Sequence, residues 1–498
     1  MESVGVAVVG SGPAALAAVL ALRRRGVSPT VIDAGITATT PPSASASMPS
    51  ATDGSGLPDK TFGGSDFPYR VPRVRTWEID DTCALRGSFA LGGFSTVWGA
   101  AVLPFTAAQM AAWPIGIEDL RPHYAAIAEV VPTSGVCGDA LDATFVDLPT
   151  NPRPLAGVRA TEAMASRLTR DAVHLGRRGL IGGRARLAVD AGDGPNACTY
   201  EGACLAGCPR GAIFDAGDMI AAQATTGAIT YVGGTVVQRL TSVPRGVVLD
   251  LSDLTGGSQR RVHATHVLLA AGVLGTADII LRSQGAGVRV LRALDSQYFL
   301  APLVRLGAQE IDPHAVALSH LFLEVEVSSS GEMSHLQVYP PNALLLGVLS
   351  DRLGVHVARR AIRHVMGLQG FLPSSQSGVI DIRLGRAGTL AVSARPNPES
   401  GPAARRVLRR LVGAARQLGG VPVAGQMVMA PVGRGFHSGG TLPMTSDPAV
   451  GGTDTLGSPP GLPRVHIVDS SVFPTIPGGT ITYTVMANSH RIASGVPL

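Results

Sequence analysis

Two short clusters have residue types and spacings that suit chemistry. The first is Gly10-Ser11-Gly12-Pro13-Ala14-Ala15, set between the apolar run Val4–Val9 and a segment of helical composition, Leu16–Arg25. Gly10 permits a tight turn, Gly12 lets a pyrophosphate approach the backbone, and the small Ala15 keeps helix and strand close. Thr30-Val31-Ile32-Asp33 reads as a second strand, and Asp33, 23 residues after Gly10, suits ribose hydroxyls as an acceptor. This strand–turn–helix–strand unit reads as a nucleotide site; the alternative is a tight turn in an unrelated α/β protein. The second cluster is Cys198, Cys204 and Cys208, followed by Pro209. Thiolates at such loop spacings can converge on iron, and three ligands suit a 3Fe-4S cluster. A loop packed by structural thiols, another metal, or a redox disulfide are the other readings.

These clusters must be positioned by a chain that is 45% hydrophobic and 15% charged, enough to bury a sizeable core over 498 residues. Its 62 glycines and 36 prolines, without a repeating period, predict many turns and close backbone approaches. The net charge of +5 is too mild to argue for nucleic acid, and no aromatics interleave with the basic stretches. Lys60 is the only lysine, so Schiff-base chemistry has no other candidate. No His-Glu-x-x-His, Gly-x-Ser-x-Gly or Walker loop occurs, which removes the residues of zinc hydrolases, serine esterases and NTPases. The N-terminus has no basic region or cleavage site, and five cysteines do not make a disulfide scaffold, so a cytoplasmic protein is expected. Ala403–Leu418 and Val355–Met366 set arginines against apolar residues. A solvated face on a packed helix is the ordinary reading, and peripheral contact with the inner membrane face is the other.

Ile36–Lys60 is rich in Ser, Thr, Pro and Ala and reads as a surface insertion. Ala394–Ala403 and Gly451–Gly461 read as connectors. Cys83 and Cys137 stand alone and are expected in the core. Alternating apolar residues in Leu321–Val327, Ser334–Tyr339 and Val379–Leu384 predict a sheet region distinct from the N-terminal unit.

Five further segments carry a family resemblance: Leu91-Gly92-Gly93-Phe94-Ser95-Thr96-Val97-Trp98-Gly99; Trp113-Pro114-Ile115-Gly116 with His123-Tyr124; Val267–Gly272 with Leu274-Gly275; His437-Ser438-Gly439-Gly440-Thr441; and Val468-Asp469-Ser470 through Thr480-Ile481-Thr482. With the N-terminal glycines, the chain resembles the glucose–methanol–choline (GMC) family of flavin oxidoreductases. The resemblance implies an α/β fold: a discontinuous Rossmann-like FAD-binding domain (1–112, 209–285 and 431–498) and an α+β substrate domain on an antiparallel sheet (286–430). Residues 113–208 would form a lid or connecting segment with the cysteine loop.

By the same resemblance Gly10, Gly12, Ala15 and Asp33 hold the ADP half of FAD, and the backbone at Val237 touches adenine. Gly92, Gly93 and Ser95 line the flavin and pyrophosphate region, and Asp469 lies near the pyrophosphate or ribityl chain. The helix starting near Thr480 and Thr482 points its N-terminus at the flavin. His437 stands at the family's catalytic base, taking a hydroxyl proton while hydride leaves for flavin N5. The family's second His or Asn is replaced here by Thr480, a less rigid partner for a substrate oxygen. That departure keeps two rivals in view, a non-redox flavin-scaffold lyase and a degenerate flavoprotein with a binding role. The cysteine spacing is similar to that of cluster-bearing GMC dehydrogenases, which favours a dehydrogenase passing electrons to a protein or quinone acceptor. The implied substrate is a sugar or polyol, with an apolar alcohol as runner-up.

Overall fold

The N-terminal apolar run forms the strand Glu2–Val9 near the centre of a seven-stranded sheet. The computed structural model describes residues 2–39, 61–148, 153–284, 290–309, 312, 314–328, 331–385, 388–448 and 451–498. Most of the expected insertion, with Lys60, lies outside them. Glu2–Val9 pairs in parallel with Thr30–Ile32 on one side and Gln259–Leu269 on the other. Thr230–Val232 extends the first edge, also in parallel. On the other edge, the first half of Gln259–Leu269 takes the antiparallel strands Gly246–Asp253 and then Thr235–Val243. Its second half takes Val465–Ile467 in parallel. Strands far apart in the chain therefore share one sheet. Val6 to Val9 are all buried, as a parallel strand covered on both faces should be.

Two helices cover this sheet where the glycine turn emerges. Pro13–Arg24 starts directly after Gly12, and Thr482–Gly495 packs beside it, Ser489 donating to the Ala14 carbonyl at 2.6 Å. Pro13 suits the first helical position, where its missing N–H leaves nothing unpaired.

A second seven-stranded sheet has the order Val421–Pro422, Tyr298–Val304, Val365–Phe371, Met333–Tyr339, Leu321–Glu326 and Leu180–Arg184, with Val428–Met429 also on Tyr298–Val304; every pairing is antiparallel. Side chains alternate between its faces. Phe299, Leu303, Leu336 and Leu368 enter a core with Val407, Leu408 and Leu411 of the helix Ser400–Val412. Leu300, Pro302, Gln337 and Gln369 face the opposite way, into a cavity.

Several expectations are refined. Val379–Leu384 is a strand, but in a separate five-stranded sheet with Val290–Asp295, Leu390–Arg395, Trp77–Ile79 and Ser438–Gly439. Leu180–Arg184, from the segment expected as a lid, is an edge strand of the second sheet, and Trp77–Ile79 pairs with Leu390–Arg395 across another expected boundary. The basic stretch Val355–Met366 is not one helix: Val355–Ala361 is helical, Ile362–His364 is a tight turn, and Val365 opens a strand. The connector expected at Ala394–Ala403 shrinks to residues 396–399, between the strand ending at Arg395 and the helix beginning at Ser400. Cys83 is buried, but Cys137 is exposed rather than in the core.

Candidate active site

A cavity of about 960 Å³ runs between the first sheet and the open face of the second. Gly10, Gly12, Asp33, Gly93, Ser95, Val237, His437, Asp469, Thr480 and Thr482 all line it. Ala15 and Gly92 do not. Ala15 is fully buried beneath the turn, and a Cβ on Gly92 would sit 2.2 Å from Asp215 Oδ1, so its glycine lets the helix Ala216–Thr225 approach.

At one end the cavity is built from backbone. Gly10 has φ +105, and a Cβ there would lie 2.5 Å from the Ala270 carbonyl oxygen. A Cβ on Gly93 would lie 3.4 Å from the Gly12 Cα, so two glycines from separate segments face each other across a narrow gap. The N-terminal turns of three helices, Pro13–Arg24, Gly272–Ser283 and Thr482–Gly495, contribute lining residues here. Their first N–H groups lack intrahelical partners and carry partial positive charge, which suits a pyrophosphate. Asp33 is buried, accepts from Ser11 at 2.6 Å and Tyr231 at 3.2 Å, and burial pushes its carboxyl up to about 6. Asp469 is buried with Thr276 donating at 2.6 Å; burial raises its carboxyl too. The Val237 carbonyl accepts from Arg75. A glycine-walled cleft, helix starts and a buried carboxylate together fit a dinucleotide.

Ser95 is tied into the protein. Its hydroxyl lies 2.6 Å from the Gly92 carbonyl oxygen and 3.0 Å from Asp215 Oδ1, and it accepts from the Ala216 N–H at 3.0 Å. It knots the Gly92–Thr96 turn to the next helix, so a ligand meets this turn through its backbone.

His437 is held from three sides. Its ring lies 4.6 Å from Phe371, centroid to centroid, and its carbonyl accepts from the Ser296 N–H at 3.0 Å. The preceding Phe436 adopts φ 57, costly for a side chain with a Cβ, and is packed 5.0 Å from Phe94. Asp295, at the end of Val290–Asp295, accepts from the Gly433 N–H at 2.7 Å and from Ser438 at 2.8 Å, bracketing the histidine's loop. Burial pushes the Asp295 carboxyl up to about 6. Sequence reasoning missed Asp295 because its partners lie about 140 residues away; the only local signal is an acid ending an apolar strand. Thr480 is buried beside this region, and its Oγ1 accepts from the Leu103 N–H at 3.1 Å, leaving its own proton to donate.

A second buried pair stands behind Phe371: His335 Nδ1 lies 2.6 Å from Glu324 Oε1, and the His335 backbone N–H donates to the Gly478 carbonyl. It braces the turn leading to Thr480.

The cysteine loop departs from the metal expectation. Among the described residues no three His, Cys, Asp or Glu side chains are placed to hold a metal ion, so the cluster reading of Cys198, Cys204 and Cys208 gains no support. The three thiols lie close enough to feel one another's charge. Burial raises the Cys198 thiol and pushes Cys204 up to about 11. Leu205, between them, lines the cavity.

Residues 394–489 match the GMC oxidoreductase family, in the region that carries His437, Asp469 and Thr480. The whole fold of the chain is similar to that of pyridoxine 4-oxidase from Mesorbium loti, with TM-score 0.65, 16% identity and 98% of each chain covered. No curated protein sequence matches the chain. The first sheet is discontinuous in the chain: residues 2–32, 230–269 and 465–467 meet in it. No helix among the described residues is long and apolar enough to cross a membrane.

Proposed function

We propose that the chain is an FAD-dependent oxidoreductase that oxidises a CH–OH group, with His437 as the base. FAD bound in the cavity supplies a ring that accepts two electrons and the carbon-bound hydrogen. Gly10, Gly12, Gly93 and the three helix starts would hold its pyrophosphate region, and Asp33 its ribose. His437 takes the hydroxyl proton as the carbon loses its hydrogen, and a carbonyl product remains. Thr480 donates to the substrate oxygen and so orients it toward the imidazole. The supporting observation is that His437, clamped through Ser438 and Gly433 by Asp295, shares one cavity with the fingerprint glycines.

The dehydrogenase reading rests on an iron cluster, which no group among the described residues supports, so dehydrogenase and oxidase both remain open to the same test. The test is anaerobic bleaching of the purified flavoprotein by alcohols. His437→Asn is expected to retain its flavin and bleach about 10²- to 10⁴-fold more slowly. An unchanged rate in that variant removes the base assignment, and product formation without bleaching points to a flavin-scaffold lyase.

A further inference from the structure

The cavity's two ends differ in chemistry, and the end away from the glycines carries information about substrate. Its walls come from the open face of the second sheet and from the helix Ala343–Leu353. Leu344, Leu345, Val348 and Leu349 fall on one side of that helix, and all four line the cavity together with Leu300 and Pro302 of the facing strand. Although the helix is mostly apolar, none of its described residues is fully buried. An apolar helix side turned to a cavity is covered only when a ligand fills the space.

Polar groups on this wall are few and uncharged. Among the described residues from 290 to 430 that line the cavity, none is Asp, Glu, Arg or His. Gln337 and Gln369 stand opposite each other on paired strands, and the Tyr339 hydroxyl donates to Gln337 Oε1 at 2.6 Å, with Gln369 Oε1 3.2 Å away. Asn342 Oδ1 accepts from the Leu345 N–H and so caps the helix. Tyr339 thus engages the oxygens of both glutamines, and the Asn342 oxygen is spent on the helix cap. A sugar buried here would bring several hydroxyls to a mostly apolar wall without a charged group, each hydroxyl left unpaired costing about 1–3 kcal/mol. The apolar lining also reaches the surface: Val304 and Leu353 line the cavity yet are 41% and 48% exposed, near the fully exposed Leu306.

We infer that the substrate is an alcohol carrying a bulky hydrocarbon body, which lies against the helix Ala343–Leu353 and the strand Tyr298–Val304 while its hydroxyl meets His437. This rests on the CH–OH reading for the hydroxyl but not for recognition of the hydrocarbon. It reverses the sequence expectation, in which sugars led.

The test uses the flavin-loaded protein and straight-chain primary alcohols from ethanol to decanol, with glucose and sorbitol alongside. Binding is followed by calorimetry and oxidation by anaerobic bleaching. Half-saturation is expected to fall about fourfold per added methylene until the cavity is filled. Leu345→Asp should raise the decanol value at least about tenfold, and by much more than it raises the ethanol value, while flavin content holds. Leu345→Gln serves the same purpose if the carboxylate impairs folding. A flat response along the series, or tighter binding of sorbitol than of decanol, overturns the inference. Length-dependent decanol binding without bleaching supports it and tells instead against the oxidation chemistry.

Discussion

The glycine end and the apolar end of the cavity are made by different means. The glycine end is backbone: Gly10, Gly12 and Gly93 leave out side chains, and helix starts present N–H groups. The far end is side chains on alternate positions of an antiparallel sheet, completed by one helix. A backbone site tolerates few residue types, because an added Cβ closes it. A side-chain site of this kind accepts any well-shaped apolar set. Chemistry common to a family can be held by the first, and discrimination among substrates by the second.

The largest effect that would sharpen this contrast is expected at Gly12. Its φ of −70 suits any residue and a Cβ there would meet only ordinary contacts, the nearest at 3.8 Å, so Gly12→Val should fold. Its bulk would narrow the space facing Gly93, and flavin content per chain should fall by about tenfold or more. Visible absorbance against protein concentration measures this, and full flavin loading would break the backbone account of that end.

A smaller effect is expected where the two ends meet. Asp295→Ala leaves the Gly433 N–H and the Ser438 hydroxyl without their buried acceptor. That loss destabilises by about 1–3 kcal/mol and loosens the loop behind His437. Flavin content should hold while the bleaching rate drops about tenfold, with partial recovery in Asp295→Asn, which keeps an acceptor oxygen. A loss of flavin equal to the loss of rate would mean that the loop serves the cofactor end instead.

The same contrast explains what was legible in the sequence. The turn at Gly10–Ala15 and Asp33 can be read because local spacing encodes them: strand, glycines, helix and acid fall within about thirty residues. His437, which lines the cavity, is singled out in the sequence by its flanking glycines and the family resemblance. Asp295, Phe371 and the Glu324–His335 pair are not, since each reaches its partner only through tertiary packing. The apolar alternation of Leu321–Glu326 and Met333–Tyr339 predicted strands but not which face would look into a cavity. The cysteine spacing suggests ligands, yet spacing alone does not build a metal site, and no three potential ligands are placed for one among the described residues. Ser95 illustrates a different gap, a loop serine whose hydroxyl is engaged by the protein itself.

The central claim is that the His437 imidazole removes the substrate proton beside the flavin. It is tested most directly by the pH dependence of the anaerobic bleaching rate at saturating alcohol, compared between the unaltered protein and His437→Asn. A general base must be unprotonated, so the rate should fall about tenfold per pH unit below one ionisation in the unaltered protein. In the variant it should be slow and flat over the same range. The same falling limb in both proteins would contradict the account and assign the proton transfer to another group.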